Sequence, residues 1–177
     1  YKDHGKDVDL DRTADRTKGY PLIQTSLGTN WRLTEMHSQI GLIQLERMAV
    51  WHRLRTRNAM MLRERAARIP ALRVPEVPGH IEHAWYKLDF FFNSEALKSG
   101  RTRFDIINEI RARGIGCSYG GCSEIYLEEA FTKYTHGTPE RLKNAHQLGE
   151  TNIMFEVHPT LSEDEIGMIG DVMEEVI

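Results

Sequence analysis

The feature that most limits the fold of this chain is a helical repeat of apolar residues that begins after Thr34. Apolar side chains recur three or four positions apart, at Met36, Ile40 and Ile43. Thr34 is suited to cap this helix, because its hydroxyl can accept a hydrogen bond from an unpaired amide of the first turn. The pattern continues to about Arg68, and Pro70 then stops it. We therefore predict a straight or kinked helix about 50 Å long.

The second half of this predicted helix is rich in arginine: Arg47, Arg53, Arg55, Arg57, Arg63, Arg65 and Arg68. One interpretation is a patch that binds a polyanion. The other is a solvated face, with the apolar side chains of Val50, Trp51, Leu54 and Leu62 turned inward. We favour the solvated face, because charge runs usually solvate a helix and the chain has a net charge of −3.

The rest of the chain alternates between strand-like and helix-like segments. An aromatic, alternating run over residues 84–92 predicts a strand with one shared face: Ala84, Tyr86, Leu88, Phe90 and Phe92. Shorter strands are predicted at residues 115–118 and 152–157. Helices are predicted at residues 102–113, 125–134, 138–148 and 162–176. Thr102 and Ser162 open two of them with capping boxes, and Gly149 is expected just after the end of the third. This mixture predicts an α/β (α+β) fold.

Composition narrows the possible functions. The 177 residues are 40% hydrophobic and 28% charged, which suits one globular domain. No apolar run is long enough to span a membrane and no signal peptide opens the chain, so no membrane partner is predicted. Two cysteines are too few for a disulfide framework, which fits a cytoplasmic protein. The chain begins at Tyr1 rather than at Met, so we expect it to be a fragment.

Two groups of residues have the chemistry of metal ligands but the wrong spacing. The aspartates near the N-terminus lack the glycine and the glutamate of a calcium loop. Cys117 and Cys122 would need further ligands, such as His136 and His146, to bind zinc, and their spacing fits no familiar zinc finger. We predict no metal site and interpret both cysteines as small buried thiols.

Asn30 and Arg32 stand directly in front of the long helix. Amide and guanidinium donors beside a helix start are suited to bind an anion such as phosphate. An ordinary polar loop that caps a helix has the same composition. On these residues alone, both interpretations stay open.

Five sequence blocks, in order, resemble the DegT/DnrJ/EryC1/StrS aminotransferases. The segment Gly28–Glu35, followed by Gln39-Ile40-Gly41 and Gln44-Leu45, is similar to the G-x-N-x-R-x-x-E…Q-x-x-x-x-Q-L pattern of that family. The other blocks are Tyr1–Lys6, Cys122–Phe131 and Val157–Leu161. The resemblance implies the small C-terminal domain of a fold-type-I enzyme over residues 34–177. Residues 1–33 would be the connecting loop segment from the large domain that carries the N-x-R motif.

The resemblance also implies a cofactor, pyridoxal 5′-phosphate, and roles for individual residues. Asn30, with Arg32, matches residues that bind the cofactor phosphate of the other subunit, which implies a homodimer with shared active sites. His158, Tyr126 and His4 match positions on the substrate side. The Schiff-base lysine of the family lies upstream, so no catalytic residue is expected here. This chain alone is therefore expected to be inactive.

The expected reaction is transfer of an amino group to a nucleotide-linked keto sugar, in lipopolysaccharide or other surface-glycan biosynthesis. The resemblance implies glutamate as the amino donor. The net charge of −3 predicts no nucleic-acid partner. Two alternatives remain. The chain could be a non-catalytic binding or scaffold domain, or it could bind anions or nucleic acid through the arginine-rich helix.

Overall fold

The computed structural model describes residues 7–15, 25–93, 100–132 and 140–177. The chain divides into two compact units, residues 1–48 and residues 49–177. The domain boundary predicted from the sequence lies after residue 33, at the end of the loop that carries the N-x-R motif. That boundary stays a prediction. None of the described helices is long and apolar enough to cross a membrane.

The first unit contains a short helix, a loop and the start of the long helix. Helix α1 spans Val8–Thr13 and is capped by Asp7, whose carboxylate accepts hydrogen bonds from two backbone amides. This helix corrects the prediction that residues 1–33 form only a loop segment. Helix α2 spans Glu35–Ala66 without a break. Its predicted cap is confirmed, because the Thr34 hydroxyl accepts a hydrogen bond from the His37 amide at 3.3 Å.

The second unit is built on a four-stranded antiparallel sheet in the order β1-β2-β4-β3. The strands are β1 (Leu72–Arg73), β2 (Leu88–Phe92), β3 (Cys117–Ser118) and β4 (Asn152–Phe155). In the central pair, Leu88 lies opposite Phe155 and Phe90 lies opposite Ile153. The sequence predicted three of these strands and missed the short edge strand β1.

The predicted alternation along residues 84–92 holds only from Leu88 onward. Leu88, Phe90 and Phe92 are buried, whereas Tyr86 is 75% exposed. Trp85 has a φ of 48°, in the left-handed region, and this breaks the extended backbone just before the strand. The side chain of Trp85 is buried instead, with the guanidinium of Arg63 5.5 Å from the centre of its ring.

The helices of the second unit are α3 (Arg103–Ala112), α4 (Glu129–Thr132), α5 (Lys143–Thr151) and α6 (Glu163–Val176). The capping boxes predicted at Thr102 and Ser162 are both present. The helix predicted over residues 125–134 is a 3-10 turn, Ile125–Leu127, followed by α4, and residues 133–134 lie outside the described residues. Gly149 lies inside α5 rather than after its end.

The core lies between the sheet and α2, α3 and α6. Its largest fully buried side chains are Phe90, Phe155, Leu62, Leu88, Ile106, Ile107, Ile110, Ile153, Ile166, Met173, Val157 and Val176. Burial of each such side chain contributes about 1.5–3 kcal/mol. The inward face predicted for α2 is only partly right, because Leu62 is buried but Val50 is 47% exposed.

Two arginines of α2 are paired with carboxylates of α6. Arg57 donates to Glu163 at 3.0 Å, and Arg65 donates to both Glu174 and Asp171. The hydrogen bonds from Glu174 and Asp171 raise the pKa of Arg65 well above its usual range. These pairs join α2 to α6, so these two cations serve the fold and give little support to a polyanion site.

Candidate functional site

Asn30 and Arg32 form one hydrogen-bonded unit in the exposed loop before α2. The side-chain oxygen of Asn30 accepts from the backbone amide of Arg32 at 3.2 Å and from its Nε at 3.1 Å. With Oδ1 used in this way, the Nδ2 amide group of Asn30 can act as a donor. The structure therefore brings together the two residues that the sequence predicted to bind phosphate, with a donor set suited to an anion.

His158 follows strand β4 and is exposed, as expected for a residue that contacts a ligand. Its Nδ1 lies 2.7 Å from the Thr160 hydroxyl and accepts from the Thr160 backbone amide at 3.4 Å. Since that amide can only donate, a neutral His158 carries its proton on Nε2. The ring is thus oriented to offer an Nε2–H donor.

Asn58 holds the backbone of this histidine in place, and sequence reasoning missed it. Its side chain is fully buried on α2, and its Nδ2 donates to the carbonyl oxygen of His158 at 3.0 Å. Its Oδ1 accepts from Nε and Nη2 of Arg57 at 3.0 and 2.8 Å. A lone asparagine among the arginines of a helix gives no signal of this role, because the carbonyls to which it donates lie 100 or more residues away along the chain.

Tyr126 is half-buried, and its hydroxyl is already engaged twice. It donates to Oε1 of Glu124 at 3.0 Å and accepts from the backbone amide of Leu142 at 2.8 Å. Arg141 donates to the same carboxylate through Nε and Nη2, both at 2.8 Å. In these contacts Tyr126 braces the Glu124 carboxylate and the chain before α5.

A cavity of about 370 Å³ lies beside this network. Polar and thiol side chains line it together with two glycines, an aromatic ring and a leucine: Tyr119, Gly121, Cys122, Ser123, Glu124, Leu127, Glu128, Gly149 and Glu150. Tight packing holds its wall, because a Cβ at Gly149 would lie 2.1 Å from the Ser123 hydroxyl oxygen. Volume and lining suit a small polar ligand.

The two cysteines differ from each other. Cys117 is buried as predicted, and burial raises the pKa of its thiol. Cys122 is exposed, which corrects the prediction that both thiols are buried, and its thiol donates to Glu128 at 3.2 Å. This hydrogen bond raises the pKa of Cys122. Within the described part of the chain, no group of three or more His, Cys, Asp or Glu side chains could hold a metal ion.

The predicted site residues fall into separate groups. Asn30 and Arg32 belong to the first unit and bond to each other. Tyr126 and His158 belong to the second unit, where Tyr126 bonds to Glu124 and His158 contacts Asn58 and Thr160. The remaining candidate, His4, lies outside the described residues.

A model of the DegT/DnrJ/EryC1/StrS aminotransferase family matches residues 1–174. This chain belongs to that family. An aminotransferase from Psychrobacter cryohalolentis is 41% identical in sequence, and its crystal structure matches with a TM-score of 0.85 over 99% of this chain and 47% of that one. The predicted family and fold class are thereby confirmed.

More distant relatives include enzymes of a second reaction type. The dTDP-4-dehydro-2,6-dideoxy-D-glucose 3-dehydratase of Saccharopolyspora spinosa is 24% identical over 153 residues, which are 85% of this chain and 32% of that protein. The E. coli GDP-4-keto-6-deoxy-D-mannose-3-dehydratase, solved with bound hydrated PLP, shares the fold at 20% identity, with a TM-score of 0.76 over 97% of this chain and 45% of that one. The chain thus spans about a third to a half of the length of the relatives it matches.

Pyridoxal phosphate is the cofactor of this family, and the described residues fit one part of it. The Asn30 carboxamide and the Arg32 guanidinium supply donors of the kind that bind a phosphate group. The described lysines are Lys87, which lies over the ring of Tyr86, and Lys143, which begins α5. The described residues therefore fit the phosphate group of the cofactor, through Asn30 and Arg32.

Proposed function

We propose that this chain is the C-terminal part of a pyridoxal-phosphate-dependent enzyme that transfers an amino group to a nucleotide-linked keto sugar. The observation that carries the proposal is the match to the Psychrobacter aminotransferase, which is 41% identical along 99% of this chain. The family match over residues 1–174 supports it. Glutamate is the proposed donor, and surface-glycan biosynthesis in the cytoplasm is the proposed setting.

The cofactor phosphate would be bound by Asn30 and Arg32. When bound, pyridoxal phosphate supplies an electron-accepting ring for amino-group transfer. The part of Asn30 is to donate from Nδ2 to the phosphate while Arg32 holds Oδ1. In our proposal these residues serve the active site of a second subunit, so the working enzyme is a homodimer.

The substrate side would be formed by the second unit. His158 offers an Nε2–H donor to a sugar or phosphate oxygen, because Thr160 orients its ring through Nδ1. The 370 Å³ cavity offers Ser123, Glu128 and Glu150 to sugar hydroxyls. Tyr126 orders this region through Glu124. None of these roles needs a lysine from this chain. Because the Schiff-base lysine is expected upstream, we propose that the chain alone does not catalyse amino transfer.

A second candidate reaction is removal of a hydroxyl group from the sugar. The relative from Saccharopolyspora spinosa, a 3-dehydratase, favours it, because its match covers 85% of this chain. The products separate the two candidates. Amino transfer replaces the keto oxygen by an amino group and gives an amino sugar, whereas the 3-dehydratase reaction gives a deoxy sugar that still has a keto group.

An absorbance titration with pyridoxal phosphate tests the proposal. It is run on this chain and on the chain extended by the residues encoded upstream of Tyr1. We expect the visible band of lysine-bound cofactor in the extended protein alone. Asn30→Ala should weaken the band at limiting cofactor, while Asn93→Ala, an exposed residue after β2, should leave it unchanged. Absence of a band from both proteins would refute the enzyme proposal, and a band in the short chain would refute its inactivity.

A further inference from the structure

Glu124 is the most enclosed carboxylate beside the 370 Å³ cavity. Its side chain is only 15% exposed, although the residues on either side of it are exposed. Three other side chains converge on it: Arg141 through two nitrogens at 2.8 Å, the Tyr126 hydroxyl at 3.0 Å, and Nδ1 of His146 at 3.3 Å. We call these four residues, with Leu142, the Glu124 network.

The contacts of Glu124 occupy most of the acceptor positions of its carboxylate. Both oxygens accept from Arg141 in the two-point geometry that is the strongest form of this pair. Tyr126 occupies a further acceptor position. The hydrogen bonds from Arg141 lower the pKa of Glu124 to about 2, so the carboxylate stays ionised at neutral pH and is a poor proton donor or acceptor. These contacts suit Glu124 to hold its neighbours in position rather than to react.

The network joins two segments that are distant in sequence. Glu124 and Arg141 are 17 residues apart, and Tyr126 fixes the next residue, Leu142, through its backbone amide at 2.8 Å. The start of the cavity loop is thereby tied to the start of α5. Further along α5, Gly149 leaves room for the Ser123 hydroxyl, so the same loop is seated on α5 at two places.

Glu124 also lines the cavity, as do its neighbours Cys122 and Ser123. The contacts that hold Glu124 in place therefore also hold this part of the cavity wall in place. We propose that Glu124 is a positioning residue, which holds this wall in the shape that receives the sugar part of the substrate. This role rests on the proposed function for its ligand, but the ordering of the wall by Glu124 does not depend on it.

The thiol of Cys122 provides a direct measure of wall order, since it is exposed and two residues from Glu124. Its rate of modification by an aromatic disulfide reagent is measured in Glu124→Gln and compared with the rate in the unaltered chain. Loosening the wall breaks the hydrogen bond that holds the Cys122 thiol to Glu128 at 3.2 Å. Because this thiol is already exposed, we expect it to react only about two- to threefold faster, the low end for loss of one net hydrogen bond. Rates are taken across pH and compared for the thiolate, because Glu124 also influences the charge of the thiol.

Two controls separate a local effect from general loss of structure. Cys117 is buried in the sheet, so its rate must stay low in Glu124→Gln. Glu163→Gln removes another carboxylate that pairs with an arginine, Arg57, and must leave the Cys122 rate unchanged. Arg141→Gln should match Glu124→Gln, and the double variant should be no faster than either, since both act through one pair. Equal Cys122 rates in Glu124→Gln and Glu163→Gln would overturn the proposal.

Kinetics of the upstream-extended enzyme test the link to substrate. We expect Glu124→Gln to raise the KM for the nucleotide sugar about tenfold, while the half-reaction with the amino donor keeps its kcat. If the rates of both half-reactions fell by the same factor, the result would contradict a positioning role toward the sugar. If the unaltered enzyme transfers no amino group, the proposed function fails, and the thiol rates alone then decide whether Glu124 orders the wall.

Discussion

Replacing Asn58 by alanine should destabilise the second unit by about 2–3 kcal/mol. The side chain is fully buried, and it makes two bonds with Arg57 and one with the His158 carbonyl. Each net hydrogen bond is worth about 0.5–1.5 kcal/mol, and bonds to charged groups are worth more. The estimate stays below the full sum, because Arg57 keeps its bond to Glu163 and the His158 carbonyl keeps the amide of Leu161.

Urea unfolding followed by circular dichroism measures this change. In a thermal scan, the same loss of 2–3 kcal/mol in the free energy of unfolding lowers Tm by about 4–12 °C for a chain of this size. Asn108→Ala, at an exposed position on α3, should change stability by less than about 0.5 kcal/mol. Asn58→Asp keeps an acceptor for Arg57 but turns a second acceptor toward the His158 carbonyl, so it should also destabilise. A cost below about 1 kcal/mol for Asn58→Ala, or a neutral Asn58→Asp, would refute the reasoning.

Gly149→Ala should destabilise by at least about 1 kcal/mol, because its Cβ would lie 2.1 Å from Ser123. Gly41→Ala, with nothing within 4 Å, should instead stabilise α2 by about 0.5–1 kcal/mol; urea unfolding checks both. Ser162→Ala should cost about 1 kcal/mol by the same assay, because it removes the cap of α6. Hydrogen bonds from the Ser162 amide and hydroxyl lower the pKa of Glu165. This stabilisation is present above the unfolded-state pKa and is lost as pH falls through the folded-state pKa, so Glu165→Gln should flatten the loss of Tm below about pH 4.

Local signals in the sequence predicted the elements of this fold well. The caps at Thr34, Thr102 and Ser162 are all present, since each depends on a hydrogen bond that spans three residues. The predictions at Gly149 and Trp85 were wrong, because tertiary packing acts on both positions. Gly149 reads as a helix stop, but it lies within α5 where Ser123 packs against it. Trp85 reads as part of a strand, but its ring is buried and its backbone is left-handed, which ends the extended run there.

The candidate site was predicted in part. The motif located Asn30 and Arg32, and the structure adds that the two side chains bond to each other. His158 was located in the same way. Asn58 and Glu124 were not identified as site residues, because a buried asparagine and a half-buried glutamate look like ordinary polar positions in a sequence. Their partners became visible only when segments far apart in the chain were packed together.

Short-range spacing was enough to predict the family, the long helix, the helix caps and the location of the N-x-R motif from the sequence. How the second unit holds its candidate site depends on the packing of distant segments. Asn58 reaches the His158 carbonyl across 100 residues of sequence, and Glu124 pairs with Arg141 across 17. Such pairs form where packing brings distant segments together, and no local pattern encodes which distant groups will meet.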